Sequence, residues 1–261
     1  MVVADRVEAL RLFRRIAAFP RTAGVIVSLL RMIPKLDTAY ALEAESLAYG
    51  VLQAGDEFRG WLAMRPTSVA AREAGRVVAD RRGDCLHIEM HRPAADNAID
   101  CHMRDGLAEM FQLAAIDQTI ERIVLTGAGR SFSLGADLTE FGTTTDPAEA
   151  HRIRQQTLPA HWAYRCSDRL EAHVQGACVG AGLELAAFAH RITASPRAWF
   201  QLPELTMGLL PGAGGCVSLS QRIGRQRTTE LILTGRRLSA REALGWGLVD
   251  EIAADHGGAD K

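Results

Sequence analysis

Two glutamates stand in turns where a carboxyl could do acid–base chemistry. Glu184 closes the run VQGACVGAGLEL (Val174 to Leu185) and Glu204 sits in FQLPELTMGLLPGAGG (Phe200 to Gly215), each in a turn marked by glycine or proline. Two buried carboxyl groups that raise one another's pKa toward neutrality can act as a base and an acid. A third segment, GRSFSLGADL (Gly129 to Leu138), directly follows an apolar run ending at Thr126, and its small residues let a turn expose backbone N–H groups. VQGACVGAGLEL reads as a strand, a Gly/Ala turn and a helix starting near Gly182. The free N–H groups of a helix start favour negative charge, a transient oxyanion included. Taken singly, each segment has a plainer reading. A glycine-rich turn before a helix is more often tight packing, and a glutamate in LELAA is more often a partly exposed helix residue or an arginine's partner.

The elements that must hold these residues follow from periodicity. Between Arg6 and Met64 apolar residues recur at three and four spacing (Val7, Leu10, Phe13, Ile16, Ala17, then Leu42, Leu47, Val51, Leu52), punctuated by Pro20 and Pro34; the pattern predicts three helices with short joints. Residues 66–75, with Pro66, Thr67 and Ser68, read as a linker. Arg76 to Ala79 and Cys85 to Met90 read as strands joined by a turn at Arg82, Gly83 and Asp84. A helix opens at Asp100 and runs to about Asp117. Further strands are expected at Arg122 to Thr126, from Ala172 to Val174 and at Arg191 to Ala194. Strands alternating with helices imply an α/β layered fold. The division is therefore a helical module over 1–65, a linker over 66–75, an α/β core over 76–253 and a tail over 254–261.

Composition narrows the partners. The 261 residues are 48% hydrophobic, ample for a buried core, and carry a net charge of −1, so no overall field draws the chain to nucleic acid or anionic lipid. The longest apolar run, Ala23 to Leu30, is far shorter than the roughly 20 residues of a membrane-spanning helix, and the N-terminus does not resemble a signal peptide. Five scattered cysteines and eight dispersed histidines have neither disulfide nor zinc spacing, so the expectation is no metal and a reducing, cytoplasmic setting.

The three segments occur together, in order, with MHRPAADNAI (Met90 to Ile99) before them and LTGRRLSAREALGWGLVDEI (Leu233 to Ile252) after them. This combination resembles the crotonase superfamily, the enoyl-CoA hydratases and isomerases, from Arg76 to Ala253. The resemblance implies a crotonase (ClpP-like) spiral core of repeated ββα units. It implies an oxyanion hole from the N–H groups of Ala136 and Ala181, the latter where the family usually has glycine. Hydratases of the family use two glutamates, matching Glu184 as the group that deprotonates the attacking water and Glu204 as the acid that protonates the α-carbon. Arg92, Ala95, Ser133, Leu134, Gly135, Asp137 and Gly180 match positions along the CoA moiety, with Arg92 as a phosphate partner or else a solvated surface arginine. No cofactor is implied beyond the acyl-CoA substrate itself, and a homotrimer or a dimer of trimers is the usual assembly.

The implied reaction is hydration of a trans-2-enoyl-CoA to the 3-hydroxyacyl-CoA. An enoyl-CoA isomerase, an acyl-CoA hydrolase and a non-catalytic acyl-CoA-binding subunit are the alternatives, because one scaffold hosts many chemistries. The stretch from Phe141 to Thr157 is the least family-like, and substrate choice is expected there. Family members continue past the segment matching Leu248 to Ile252 into helices that cover the active site. In this chain EALRLFRRIAAFP and ALEAESLAYGVLQAGDEFRGWLAMR, within residues 7–65, are similar to those helices. That order implies a circular permutation. The tail of a degenerate upstream copy and an unrelated helical extension are the duller sources. Permutation requires Phe58 and Trp61 to lie at the lid of the active site.

Overall fold

The computed structural model describes residues 6–65 and 73–253. Four helices come first: α1 (Arg6–Ala18), α2 (Pro20–Met32), α3 (Thr38–Gln53) and α4 (Asp56–Ala63). The core follows as β1 (Arg76–Arg82), β2 (Cys85–His91), α5 (Cys101–Ile116), β3 (Arg122–Gly127), α6 (Pro147–Thr157), α7 (Ala160–Ala163), β4 (Leu170–Val174), β5 (Ala177–Val179), α8 (Ala181–Ala186), β6 (Arg191–Ala194) and β7 (Trp199–Gln201). It ends with α9 (Gly215–Ile223), α10 (Arg225–Thr234), β8 (Leu238–Ser239), α11 (Ala240–Trp246) and β9 (Glu251–Ile252). The expected linker lies largely, and the expected tail wholly, outside the described residues.

Two sheets carry the core. One has six strands in the order β1-β2-β3-β4-β6-β9, antiparallel only at β1-β2, and the other has three, β5-β7-β8. Successive strand pairs, β4 with β5, β6 with β7 and β8 with β9, each place one strand in either sheet, so the chain winds as a repeating spiral. Its interior is a ladder of aliphatic residues in register, Leu86 beside Ile123 beside Leu170 and Ile88 beside Leu125 beside Ala172, all buried. β2 and β4 alternate, with His87, Glu89, Glu171 and His173 on the opposite face, so this ladder is the core face of the sheet.

The helical module differs from expectation in two ways. It holds four helices, because Gly55 breaks the last stretch and caps α4, which begins at Asp56. The stripe Val7, Leu10 and Phe13 on α1 is exposed (57%, 47% and 68%), whereas α2 buries Ala23, Ile26, Leu29 and Leu30 at helical spacing. The module is keyed into the core at glycines. Gly208 has φ +71, and a Cβ there would lie 2.5 Å from the backbone of Glu57 and Phe58; a Cβ on Gly212 would lie 2.2 Å from the Tyr49 ring. Phe58 stacks on Trp61, whose edge meets Phe141 of the core, each pair at 5.8 Å between centroids. Trp61 thus packs on Phe58 and Phe141, both of which line the main pocket.

Gly247 shares the left-handed backbone of Gly208 (φ +75), but nothing stands within 4 Å of its added Cβ. Gly247→Ala should cost only the strain of left-handed backbone, about 1–2 kcal/mol. Gly208→Ala should lose at least about 1–3 kcal/mol more, from overpacking against α4. Equal losses in denaturant unfolding would mean that the module is not held against the core there.

Candidate active site

The backbone builds the site before any side chain enters it. Residues 131–136 run beside β5: Phe132 N–H donates to Gln175 O at 2.7 Å, Ser133 N–H to Ala177 O at 3.0 Å, and Val179 N–H to Ser133 O at 2.9 Å. That pairing brings the Gly135–Ala136 turn against the start of α8. A Cβ on Gly135 (φ +89) would stand 3.3 Å from Ala181 N. Ala136 and Ala181 both line the main pocket, and among the described residues neither N–H donates to a backbone or side-chain acceptor. Two adjacent unspent donors facing a cavity can hold an oxyanion. The alanine at 181 fits without strain, because the positive φ falls on Gly180 (φ +47) and among the described non-glycine residues only Asp96 and Asn97 have one.

The pocket has a volume of about 580 Å³ and is walled by both parts of the chain: Tyr49, Gln53 and Phe58 from the helical module, Leu134 to Ala136, α6, Gly180, Ala181, Glu184 and Glu204 from the core. Glu184 is carried by α8 and Glu204 by the 3-10 turn Glu204–Met207. Both are buried. Glu184 Oε2 accepts the N–H groups of Ala213 (2.6 Å) and Gly215 (2.8 Å), which favour its anion. Glu204 Oε2 is buried with no hydrogen-bond partner among the described residues, and Oε1 packs over Gly180, where a Cβ would come within 2.8 Å.

A third carboxylate completes the cluster, one that sequence reasoning did not single out. Glu45 of α3 is 1% exposed; its Oε1 accepts Gly214 N–H at 2.7 Å and its Oε2 accepts Cys216 N–H at 2.8 Å. The four successive amides 213–216, at the start of α9, thus alternate between Glu184 and Glu45. Burial pushes Glu184 up to about 7 against the pull of its two amides. Burial raises Glu204 well above the ordinary carboxyl range, and the charges of Glu184 and Glu45 add to it. Glu45 is raised by burial, then by Glu184, with its amides opposing. Such separation of environments is how one carboxyl becomes a base and its neighbour an acid.

The residues matched to the CoA moiety divide. Leu134, Gly135 and Gly180 line the pocket. Ser133 is fully buried, its hydroxyl donating to Asn97 O and accepting Gly135 N–H, so it shapes the turn. Arg92 is not a solvated arginine. It is buried, and its guanidinium donates to Asp137 (2.6 Å), Ala98 O and Glu73 O. Asp137 is spent on that pair and on capping Thr139. Arg92 and Ala95 face a separate cavity of about 350 Å³, with Glu73, Arg76 and His91. Asn97 was also missed: its side-chain N–H groups donate to Ala128 O and Ser131 O and hold the loop that ends in Ala136.

This arrangement has known counterparts. The family model Enoyl-CoA hydratase/isomerase matches residues 80–257. The chain belongs to that family. Among its relatives, 2,3-dehydroadipyl-CoA hydratase of Escherichia coli (strain K12) is 34% identical over 176 residues, 67% of this chain and 68% of the relative. Enoyl-CoA hydratase from Thermoplasma volcanium GSS1 superposes with a TM-score of 0.61 at 37% identity, covering 68% of this chain and 71% of its own. A putative enoyl-CoA hydratase from Thermobifida fusca YX, solved in complex with acetoacetyl-CoA, gives 0.63 at 27% identity over 69% and 74%. The enoyl-CoA hydratase/isomerase match leaves α1 to α4 outside it.

The hydrogen bonding separates two substitutions by stability. One oxygen of Glu184 takes both its amides, so Glu184→Gln can keep both bonds through its carbonyl oxygen. Glu45 uses both oxygens, so Glu45→Gln must set an NH2 against an N–H and should lose about 1–3 kcal/mol. The raised pKa of Glu184 also sets a sign. Stability held by its neutral form is fully present below its ordinary 4.5 and is lost as pH rises through about 7. Glu184→Gln should therefore flatten, in part, the fall in melting temperature from about pH 5 to pH 8; an unchanged slope would contradict a carboxyl that titrates near neutrality.

Proposed function

We propose that the chain adds water across the double bond of a trans-2-enoyl-CoA to give the 3-hydroxyacyl-CoA. The observation that carries this is the unequal bonding of two buried carboxyls on one pocket: Glu184 with two amides on one oxygen, Glu204 with an oxygen that has no partner among the described residues. Glu184 as the anion takes a proton from water as the water oxygen bonds to C3. The electrons of the double bond move onto the thioester oxygen, held by the N–H groups of Ala136 and Ala181. Glu204, kept neutral, gives its proton to C2. The proton gained by Glu184 restores Glu204, so one water is consumed and both carboxyls return to their starting states.

The relatives' names support the reaction class, and the acetoacetyl-CoA complex of the Thermobifida fusca protein supports a CoA thioester in the corresponding pocket. The same reading takes the helices of residues 6–65 as the covering module of this site, moved ahead of the core by circular permutation. Support for that is Tyr49, Gln53 and Phe58 on the pocket wall and Glu45 beside Glu184.

The test is incubation with a panel of trans-2-enoyl-CoA thioesters, following loss of the conjugated absorbance and identifying products by mass. Wild type should give products heavier by one water. Glu184→Gln and Glu204→Gln should each lose on the order of 10²-fold or more in kcat, the usual worth of a positioned acid or base. Full activity in both variants removes the mechanism; an isomer of unchanged mass or free CoA would replace hydration with isomerisation or hydrolysis.

A further inference from the structure

The pocket wall carries a cation whose counter-charge is missing among the described residues. Arg104, also on the wall, pairs with Asp105 at 2.8 Å. Arg154, on α6, does not. Its Nε donates to Ser46 Oγ (2.9 Å), Nη2 to Ser46 O (3.0 Å) and Nη1 to Gln53 Oε1 (3.3 Å), and its guanidinium carbon lies 4.6 Å from the centre of the Tyr49 ring. Every one of those partners is neutral, and among the described residues no carboxylate oxygen lies within the 4.0 Å of an ion pair. Glu45 is within electrostatic reach, but both its oxygens are committed to the amides of Gly214 and Cys216.

A half-buried guanidinium beside an apolar wall is costly unless something pairs it, and its fork geometry is matched by a carboxylate taken with two hydrogen bonds. Three of its N–H groups are engaged and two remain. The neighbouring wall is apolar, with Ala150, Ile153, Leu158 and Leu185 lining the same pocket. Arg154 is electrostatically linked to Tyr49 and to Glu45. If the residue served only to tie α6 to α3, a neutral amide would make the same bonds to Ser46 without placing a charge on the pocket wall.

We propose that Arg154 binds an anionic group on the acyl chain, so that the substrate class is CoA thioesters whose acyl tail ends in a carboxylate instead of a methyl group. This rests on the CoA-thioester reading of the pocket and adds to it the chemistry of the far end of the ligand.

Binding decides the point without catalysis. Saturated CoA thioesters of matched length, one ending in a methyl group and one in a carboxylate, cannot be hydrated, and isothermal titration gives their affinities. Wild type should bind the carboxylate-ended member at least tenfold more tightly. Arg154→Met should bring that ratio close to one, and Arg154→Lys should keep a preference of the same sign. Equal or weaker binding of the carboxylate-ended member by wild type overturns the proposal, and so does a ratio unchanged in a folded Arg154→Met. The wild-type ratio stands as the deciding measurement where the methionine variant does not fold. Failure of hydration is distinct: wild type would then leave every enoyl-CoA unchanged while the binding ratio still holds or fails independently.

Discussion

The site hangs on four consecutive amides. Residues 213–216 open α9, whose first-turn N–H groups have no partner within the helix and carry its positive dipole end. They take two carboxylates in alternation, one from α8 and one from α3. Each carboxylate satisfies two donors that would otherwise be buried without an acceptor, at a cost of about 1–3 kcal/mol each. The same bonds fix where Glu184 can point. The small residues of LLPGAGG are there for that purpose: a Cβ on Gly215 would come within 2.4 Å of the Glu184 side chain, and one on Gly214 (φ +103) within 2.7 Å of Phe188. Stability and chemistry use one set of atoms.

Glu45 joins this arrangement from 169 residues away from Gly214. Loop-closure entropy grows only with the logarithm of length, each doubling adding about 0.6 kcal/mol. A module that packs on the pocket can therefore stand ahead of the core in sequence at little cost, provided its surface fits. The fit is made by glycines in the core and rings in the module: Gly212 against Tyr49, Gly208 against the backbone of α4, Gly142 against Leu62. Chain order is a weak constraint here, and shape a strong one.

Much of this was legible in the sequence. Arg122 to Thr126 declares itself as a strand through the run Ile123, Val124 and Leu125, Asp100 as a cap at the head of α5, and Glu184 and Glu204 through the turns that set them. Glu45 was not legible. Within LEAES it has the pattern of a solvent-facing helix residue, and its neighbour Glu43 is one; nothing local encodes an amide strap far along the chain. Arg92 failed for the same reason in reverse, because its partner Asp137 is 45 residues on. The stripe on α1 has the periodicity of a core face, yet Val7, Leu10 and Phe13 find no cover among the described residues. Periodicity reports that a face is apolar, and only the tertiary structure reports what covers it. The short strands β8 and β9, of two residues each, are too brief to leave any period at all.

Three buried carboxyls in one cluster would repel if all were charged, since unit charges a few ångströms apart interact by several kcal/mol at the effective dielectric of a partly buried site. The structure resolves this by bonding them unequally. Glu45 and Glu184 each have two amides that favour the anion; Glu204 has an oxygen with none, so a proton residing in the cluster is held most cheaply on Glu204. That is also the carboxyl over Gly180, next to the donor turn at Ala181, where the charge of an enolate would develop. An acid held neutral by the charges of its neighbours gives up its proton most readily when those neighbours become neutral. In the proposed hydration, protonation of Glu184 by the attacking water would remove part of what keeps the proton on Glu204, so that the base step would prepare the acid step.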